Sequence, residues 1–123
     1  MKKSDREKVK SMFAGRCAYC GCSLSGNSWH VDHVKPLFRG WETKPECAGG
    51  DVVENMFPAC PRCNIRKGTL SVEQFRSEIQ AQTARLLKNN QYKLALDYEI
   101  IKETFKPVVF CFELYKTPKA SGA

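Results

Sequence analysis

Two cysteine pairs, Cys17-Ala-Tyr-Cys20 and Cys60-Pro-Arg-Cys63, enclose a segment that carries Asp32, His33 and Asn55, and Asn64 directly follows the last cysteine. Paired Cys-x2-Cys spacings predict a tetrahedral structural zinc held by four thiolates at about 2.3 Å. Zinc binding to small metallo-domains is worth about 10–16 kcal/mol, much of it folding free energy. The clamp therefore decides whether the chain between its cysteines folds into a compact excursion.

The polar residues inside that excursion suit metal-assisted attack on a phosphodiester. Such chemistry needs a divalent cation on oxygen ligands, a base to activate water, and positive charge near the phosphate. Asp32 offers a carboxylate for the cation, and Asn64, in the first turn of a short helix, offers an amide oxygen. His33 offers an imidazole as the base. Asn55 is expected to brace the loop through backbone hydrogen bonds and to help orient His33. Arg62, Arg66 and Lys67, on or next to the same helix, are expected to meet neighbouring phosphates.

These residues need elements to carry them. Ser4-Asp-Arg-Glu7 has the capping-box pattern and predicts an opening helix with Val9, Met12 and Phe13 as its apolar stripe, ended at Gly15. Trp29 to Val34 reads as the first strand of a hairpin, stopped by Pro36. Phe38 to Asp51 is a long loop, and Val52 to Ala59 leads back to the second cysteine pair. Pro61 fits a helix start and Gly68 its end. Ser71-Val-Glu-Gln74 predicts a longer helix to about Lys88, Tyr92 to about Thr104 a further helix, and Val108–Tyr115 a strand. Residues 116–123 read as a flexible tail. The expected fold class is α+β in a single domain, with a zinc-stapled core over 16–68 and helices plus a strand over 69–115.

At 123 residues with a formal charge of +7, the chain is basic enough to favour a polyanionic partner. Four thiolates on one zinc would lower that charge to about +5, and a second divalent cation would restore it. No stretch approaches the length of a membrane span, and the charged start has no apolar targeting core. Seven cysteines, an odd count with two pairs at metal spacing, fit a reducing compartment, so a cytoplasmic protein is expected. Cys22, Cys47 and Cys111 are left over. Cys22 reads as a turn residue and Cys111 as a small buried hydrophobe.

Cys-x2-Cys-Gly, then Val-Asp-His-Val-x-Pro-Leu, then Glu-Asn-Met-x-Pro-Ala-Cys-x2-Cys-Asn-x2-Lys-Gly resembles the HNH nuclease family, in its zinc-stapled branch of the ββα-metal (His-Me finger) fold. The match runs from Arg16 to Gly68. The resemblance implies Asp32 and Asn64 as ligands of the catalytic cation, His33 as general base and Asn55 as the middle, loop-bracing residue. Asn64 stands where the family's last letter is His, which favours magnesium or manganese. DNA is the implied substrate, with 5′-phosphate and 3′-hydroxyl products. Small freestanding members occur in phages and prophages, which suggests a packaging or mobile-element role. Two rivals keep the same scaffold: a catalytically silent, zinc-dependent DNA-binding module, and an RNA-cleaving enzyme.

Other residues carry blander expectations. His30 reads as a strand-face residue outside the motif. The basic run Lys2, Lys3, Arg6, Lys8 and Lys10 reads as a solvated helix face that could also meet DNA.

Overall fold

The computed structural model describes residues 1–36 and 50–115. It divides the chain into two compact units, one holding residues 1–72 and the chain from 109 onward, the other holding residues 73–108. In the first unit, helix α1 (Lys3–Ser11) is followed by strand β1 (His30–His33), a 3₁₀ turn (Val53–Asn55), strand β2 (Met56–Ala59) and helix α2 (Pro61–Lys67). The two strands pair antiparallel, with His30 opposite Ala59, Asp32 opposite Phe57 and His33 opposite Met56. Helix α1 packs on β2 and α2 packs on β1. The expected α+β class with a ββα core is borne out.

Local sequence explains these elements, with some corrections. Helix α1 begins one residue ahead of Ser4, and Lys2 at its N-cap makes no side-chain cap, so Ser4 sits in the first turn instead of capping it. Ala14 and Gly15 both turn left-handed after the helix, and Gly15 N–H donates to the Lys10 carbonyl at 3.2 Å. Helix α2 has the expected bounds: Pro61 occupies its first turn, and Gly68 closes it with φ +49° and its N–H on the Asn64 carbonyl.

The core of this unit is aromatic. Tyr19 meets Phe110 edge-on with ring centroids 5.3 Å apart, and Phe57 and Phe112 at 6.1 Å each. Phe13 meets Phe57 at 5.3 Å. Such contacts add about 0.5–1.5 kcal/mol per pair beyond buried area. Phe110 and Phe112 arrive from the C-terminal end, and the N–H groups of Cys111 and Phe112 donate to the carbonyls of Tyr19 and Ala18 at 3.0 and 2.8 Å.

The strand expected over Val108–Tyr115 is not formed, and residues 111–115 are helical instead. The Glu113 carboxylate accepts from the Phe110 N–H at 2.8 Å, the reach-back of a capping box, and that local bond selects helix over strand. As a result Phe110, Cys111 and Phe112 are all buried in succession, which alternation would forbid.

In the second unit, the helix expected to run to Lys88 is split into α3 (Val72–Gln80) and α4 (Gln82–Leu86). Helix α5 (Asn90–Asp97) replaces the one expected over Tyr92–Thr104, and Asn89 caps it by accepting from the N–H groups of Gln91 and Tyr92. It stops early because Glu99 is left-handed, at φ +58°. Arg85 pairs both guanidinium nitrogens with Glu78 at 2.8 and 3.1 Å. The loop expected over Phe38–Asp51 lies outside the described residues up to position 49, as does the tail 116–123. No described helix is long and apolar enough to cross a membrane.

Candidate active site and zinc centre

The four clamp cysteines converge. The Sγ atoms of Cys17, Cys20, Cys60 and Cys63 lie within 4.8 Å of one another, and those of Cys20 and Cys60 are 3.8 Å apart. A regular tetrahedron with metal–sulfur bonds of 2.3 Å has edges of about 3.8 Å, so the donor set fits zinc. Each pair sits on a turn shaped for it. In the first, Cys17 N–H donates to the Cys22 carbonyl at 2.8 Å, Gly21 N–H returns to the Cys17 carbonyl at 3.1 Å, and Gly21 takes φ +81°. In the second, the Cys60 sulfur caps α2 by accepting from Cys63 N–H at 3.5 Å. Cys22 is exposed and Cys111 buried, both outside the four-sulfur cluster; Cys47 lies outside the described residues.

The thiols are poised to give up protons to a metal. A hydrogen bond from Cys63 holds the Cys17 thiol down at about 4, whereas burial pushes Cys20 up to about 12. The same sharing with Cys17, together with burial, pushes Cys63 well above the usual thiol range. A dication is what lets the sulfurs ionise together.

Asn55 closes the foot of the loop. Its side-chain oxygen accepts from Lys35 N–H, and its amide nitrogen donates to the carbonyls of Lys35 and Gly50, each at 2.9 Å. Its own carbonyl accepts from Val34 N–H at 2.9 Å. The buried amide thus ties the end of β1 to the returning chain, one residue before Asp51. Asn55 does not bond the His33 ring. The ring's partner is Asp51, whose Oδ1 lies 2.8 Å from His33 Nε2. A carboxylate only accepts, so Nε2 carries the hydrogen and the lone pair of the neutral ring falls on Nδ1. Nδ1 is therefore the atom that can take a proton. His33 is about a quarter exposed, at 26%.

Asp32 points the other way, as alternation along a strand demands. Its carboxylate is 4% exposed. Oδ2 accepts from the Tyr19 hydroxyl at 2.5 Å, and Lys67 Nζ lies 3.2 Å from Oδ2 and 3.3 Å from Oδ1. Burial raises the carboxyl above its ordinary value, an effect that the Tyr19 and Lys67 contacts oppose. Burial and the Asp32 charge push the Tyr19 hydroxyl well up, which keeps it a donor. Lys67 also donates to the His33 carbonyl at 3.2 Å, so one ammonium joins α2 to both residues of the Asp-His pair.

Lys67 is the correction among the expected phosphate contacts. Its side chain is fully buried, because helical spacing puts it on the inward face of α2 with Cys63 and Asn64. Arg62 and Arg66 lie one turn apart on the outward, exposed face. Asn64 is half-buried one turn before Lys67, and its backbone N–H bonds the Cys60 carbonyl. His30 is exposed on β1. Sequence reasoning missed Asp51 and Tyr19. Asp51 had a signal in its place just before the Asn55 turn; Tyr19, read only as a spacer between cysteines, had none.

Residues 17–70 match the HNH endonuclease family. No curated protein and no solved structure matches the chain. The matched segment spans both cysteine pairs, β1, β2 and α2, so the motif residues and the ββα order coincide on one stretch of chain. Nuclease-type activity on a nucleic acid is the function this points to, through a segment that is similar to the HNH endonuclease family.

Proposed function

We propose that the protein is a divalent-metal-dependent endonuclease that hydrolyses DNA phosphodiester bonds. The observation that carries this reading is the His33–Asp51 pair at the end of β1, which leaves Nδ1 of a partly exposed ring as a proton acceptor. In this reading His33 Nδ1 takes a proton from water as the water attacks phosphorus. Asp51 holds the ring's tautomer and direction, and Asn55 holds the backbone on which Asp51 and His33 meet. Arg62 and Arg66 on the exposed face of α2 meet phosphates on either side of the one attacked. The zinc on Cys17, Cys20, Cys60 and Cys63 is structural and sets where α2 begins.

Asp32 and Asn64 have the oxygen donors of a hard cation such as magnesium or manganese, which would supply charge stabilisation at the phosphate and at the departing 3′ oxygen. The donor chemistry fits, and the buried carboxylate is already matched by one positive charge, Lys67 Nζ. A cation on Asp32 would share the carboxylate with the ammonium of Lys67 and be repelled by it.

That same contact favours a second reading, in which the scaffold binds DNA without cutting it and Asp32 serves only to bury Lys67. A cleavage assay decides. Supercoiled plasmid, single-stranded DNA and RNA are incubated with wild type and His33→Ala under magnesium, manganese or no added metal. Metal-dependent loss of supercoiled plasmid with wild type, sharply slowed in His33→Ala, supports the nuclease. DNA binding without cleavage by either protein supports the silent module, and cleavage confined to RNA moves the activity to an RNA enzyme.

A further inference from the structure

The first helix carries a second feature that the chemistry does not use. Lys3, Arg6 and Lys10 recur at helical spacing on one face of α1 and form one wall of an open groove of about 480 Å³. The opposite wall is the turn of Gly26 and Asn27 leading to Trp29. Glu7 lies in the groove too, so its formal charge is +2 from three cations and one carboxylate.

The groove is organised before any ligand arrives. The Arg6 guanidinium stacks over the Trp29 ring at 4.0 Å from its centroid and donates to the Trp29 carbonyl at 3.0 Å. Lys10 Nζ reaches across to the Gly26 carbonyl at 3.4 Å. An atom added at the Cβ position of Gly26 would meet nothing within 4 Å, so this wall is open.

We propose that this groove binds the phosphate backbone of duplex DNA away from the bond being cut. The proposal rests on the DNA reading above and adds where affinity comes from. Seven residues of helix rise about 10 Å from Lys3 to Lys10. A DNA strand carries its phosphates at regular intervals, so cations spread over this length can meet neighbouring phosphates of one strand. Trp29 is only 3% exposed under Arg6, so it offers no free ring face for an unstacked base. The groove therefore reads backbone, and it contributes salt-dependent affinity without sequence choice.

The test compares wild type, Lys3→Ala/Lys10→Ala and a control, Lys88→Ala/Lys93→Ala, which removes the same charge outside the groove. Binding to a fluorescent 20-base-pair DNA duplex is measured by anisotropy over a salt series without added divalent metal. Each protein's zinc content and melting temperature are checked first. Removing one lysine–phosphate pairing should make the slope of log affinity against log salt shallower by about 0.9, so the groove variant should differ from wild type by about one to two units of slope. Its affinity at low salt should fall about tenfold. The control should keep the wild-type slope, and the groove variant should hydrolyse bis(p-nitrophenyl) phosphate, a diester too small to span the groove, at the wild-type rate. An unchanged slope in the groove variant or an equal change in the control overturns the proposal. Wild type that shows the predicted binding but cuts no DNA removes the nuclease reading and leaves the groove standing. DNA cutting with an unchanged slope does the reverse.

Discussion

Lys67 Nζ lies 3.2 Å from Asp32 Oδ2, with the two side chains 0% and 4% exposed. This buried pair holds α2 against β1 directly behind His33. Removing one partner of such a pair leaves an uncompensated charge and costs about 3–5 kcal/mol, whereas removing both costs far less than the sum. Asp32→Ala and Lys67→Met should each show a loss of that size in urea unfolding, and the double variant should recover much of it. Strict additivity would show that the two charges are not coupled.

The same carboxyl gives the fold a definite pH signature. Burial raises Asp32 above its ordinary value of 3.8, so the folded chain holds this proton more tightly than the unfolded chain does. Its contribution to stability is therefore full below 3.8 and is lost as pH rises through the raised folded value. The stability of wild type relative to Asp32→Asn should fall as pH is raised across that window, then level off. Urea midpoints taken in parallel at each pH check this, and a relative stability that grows with pH would contradict it.

The zinc centre should be lost with its sulfurs and with acid. Cys17 at about 4 and Cys20 at about 12 bracket neutral pH, so zinc uptake by the reduced cluster must release protons. Zinc affinity, read by competition with a chromophoric chelator, should weaken as pH falls. Cys60→Ser should lose the metal and lower the melting temperature steeply through that loss alone, since a serine hydroxyl can still cap α2. A variant that keeps one zinc per chain and an unchanged melting temperature would remove the structural role.

His33 and Asp51 should separate chemistry from binding. His33→Ala should cut about 10²–10⁴-fold more slowly, the usual cost of losing a general base, while its affinity for duplex DNA stays at the wild-type level. Asp51→Asn, which can hold the ring but no longer fixes which nitrogen carries the hydrogen, should slow cutting by up to about 10⁴-fold. His30→Ala, on the same strand but exposed, should retain wild-type rates. Single-turnover cleavage alongside anisotropy gives both quantities, and equal cutting by His33→Ala and wild type would rule out this base.

Lys67 and a divalent cation should compete for Asp32. Lys67→Met should bind manganese more tightly than wild type, and Asn64→Ala should bind it more weakly while keeping its zinc. Manganese titration followed by electron paramagnetic resonance reads this without recourse to activity. Unchanged affinity in both variants would place the cation elsewhere.

The sequence determined the zinc clamp, the ββα order and the bounds of α2, because each is written in local rules: metal-ligand spacing, a proline start and a glycine stop. It also put Asp32 and His33 on opposite faces of one strand, a consequence of alternation alone. Only the tertiary structure decided what each face meets. Lys67 looks like any exposed helix lysine in the sequence, yet packing of α2 on β1 turns it inward onto Asp32. Asp51 is a loop residue until the Asn55 amide draws the two ends of the loop together and brings it to His33. The run Val108–Phe112 is continuously apolar and reads as a strand, but the Glu113 side chain caps a helical turn and sends Phe110 and Phe112 into the aromatic core around Tyr19. In each case a contact between residues distant in the chain, or a side-chain bond that local pattern does not encode, outweighed the local preference.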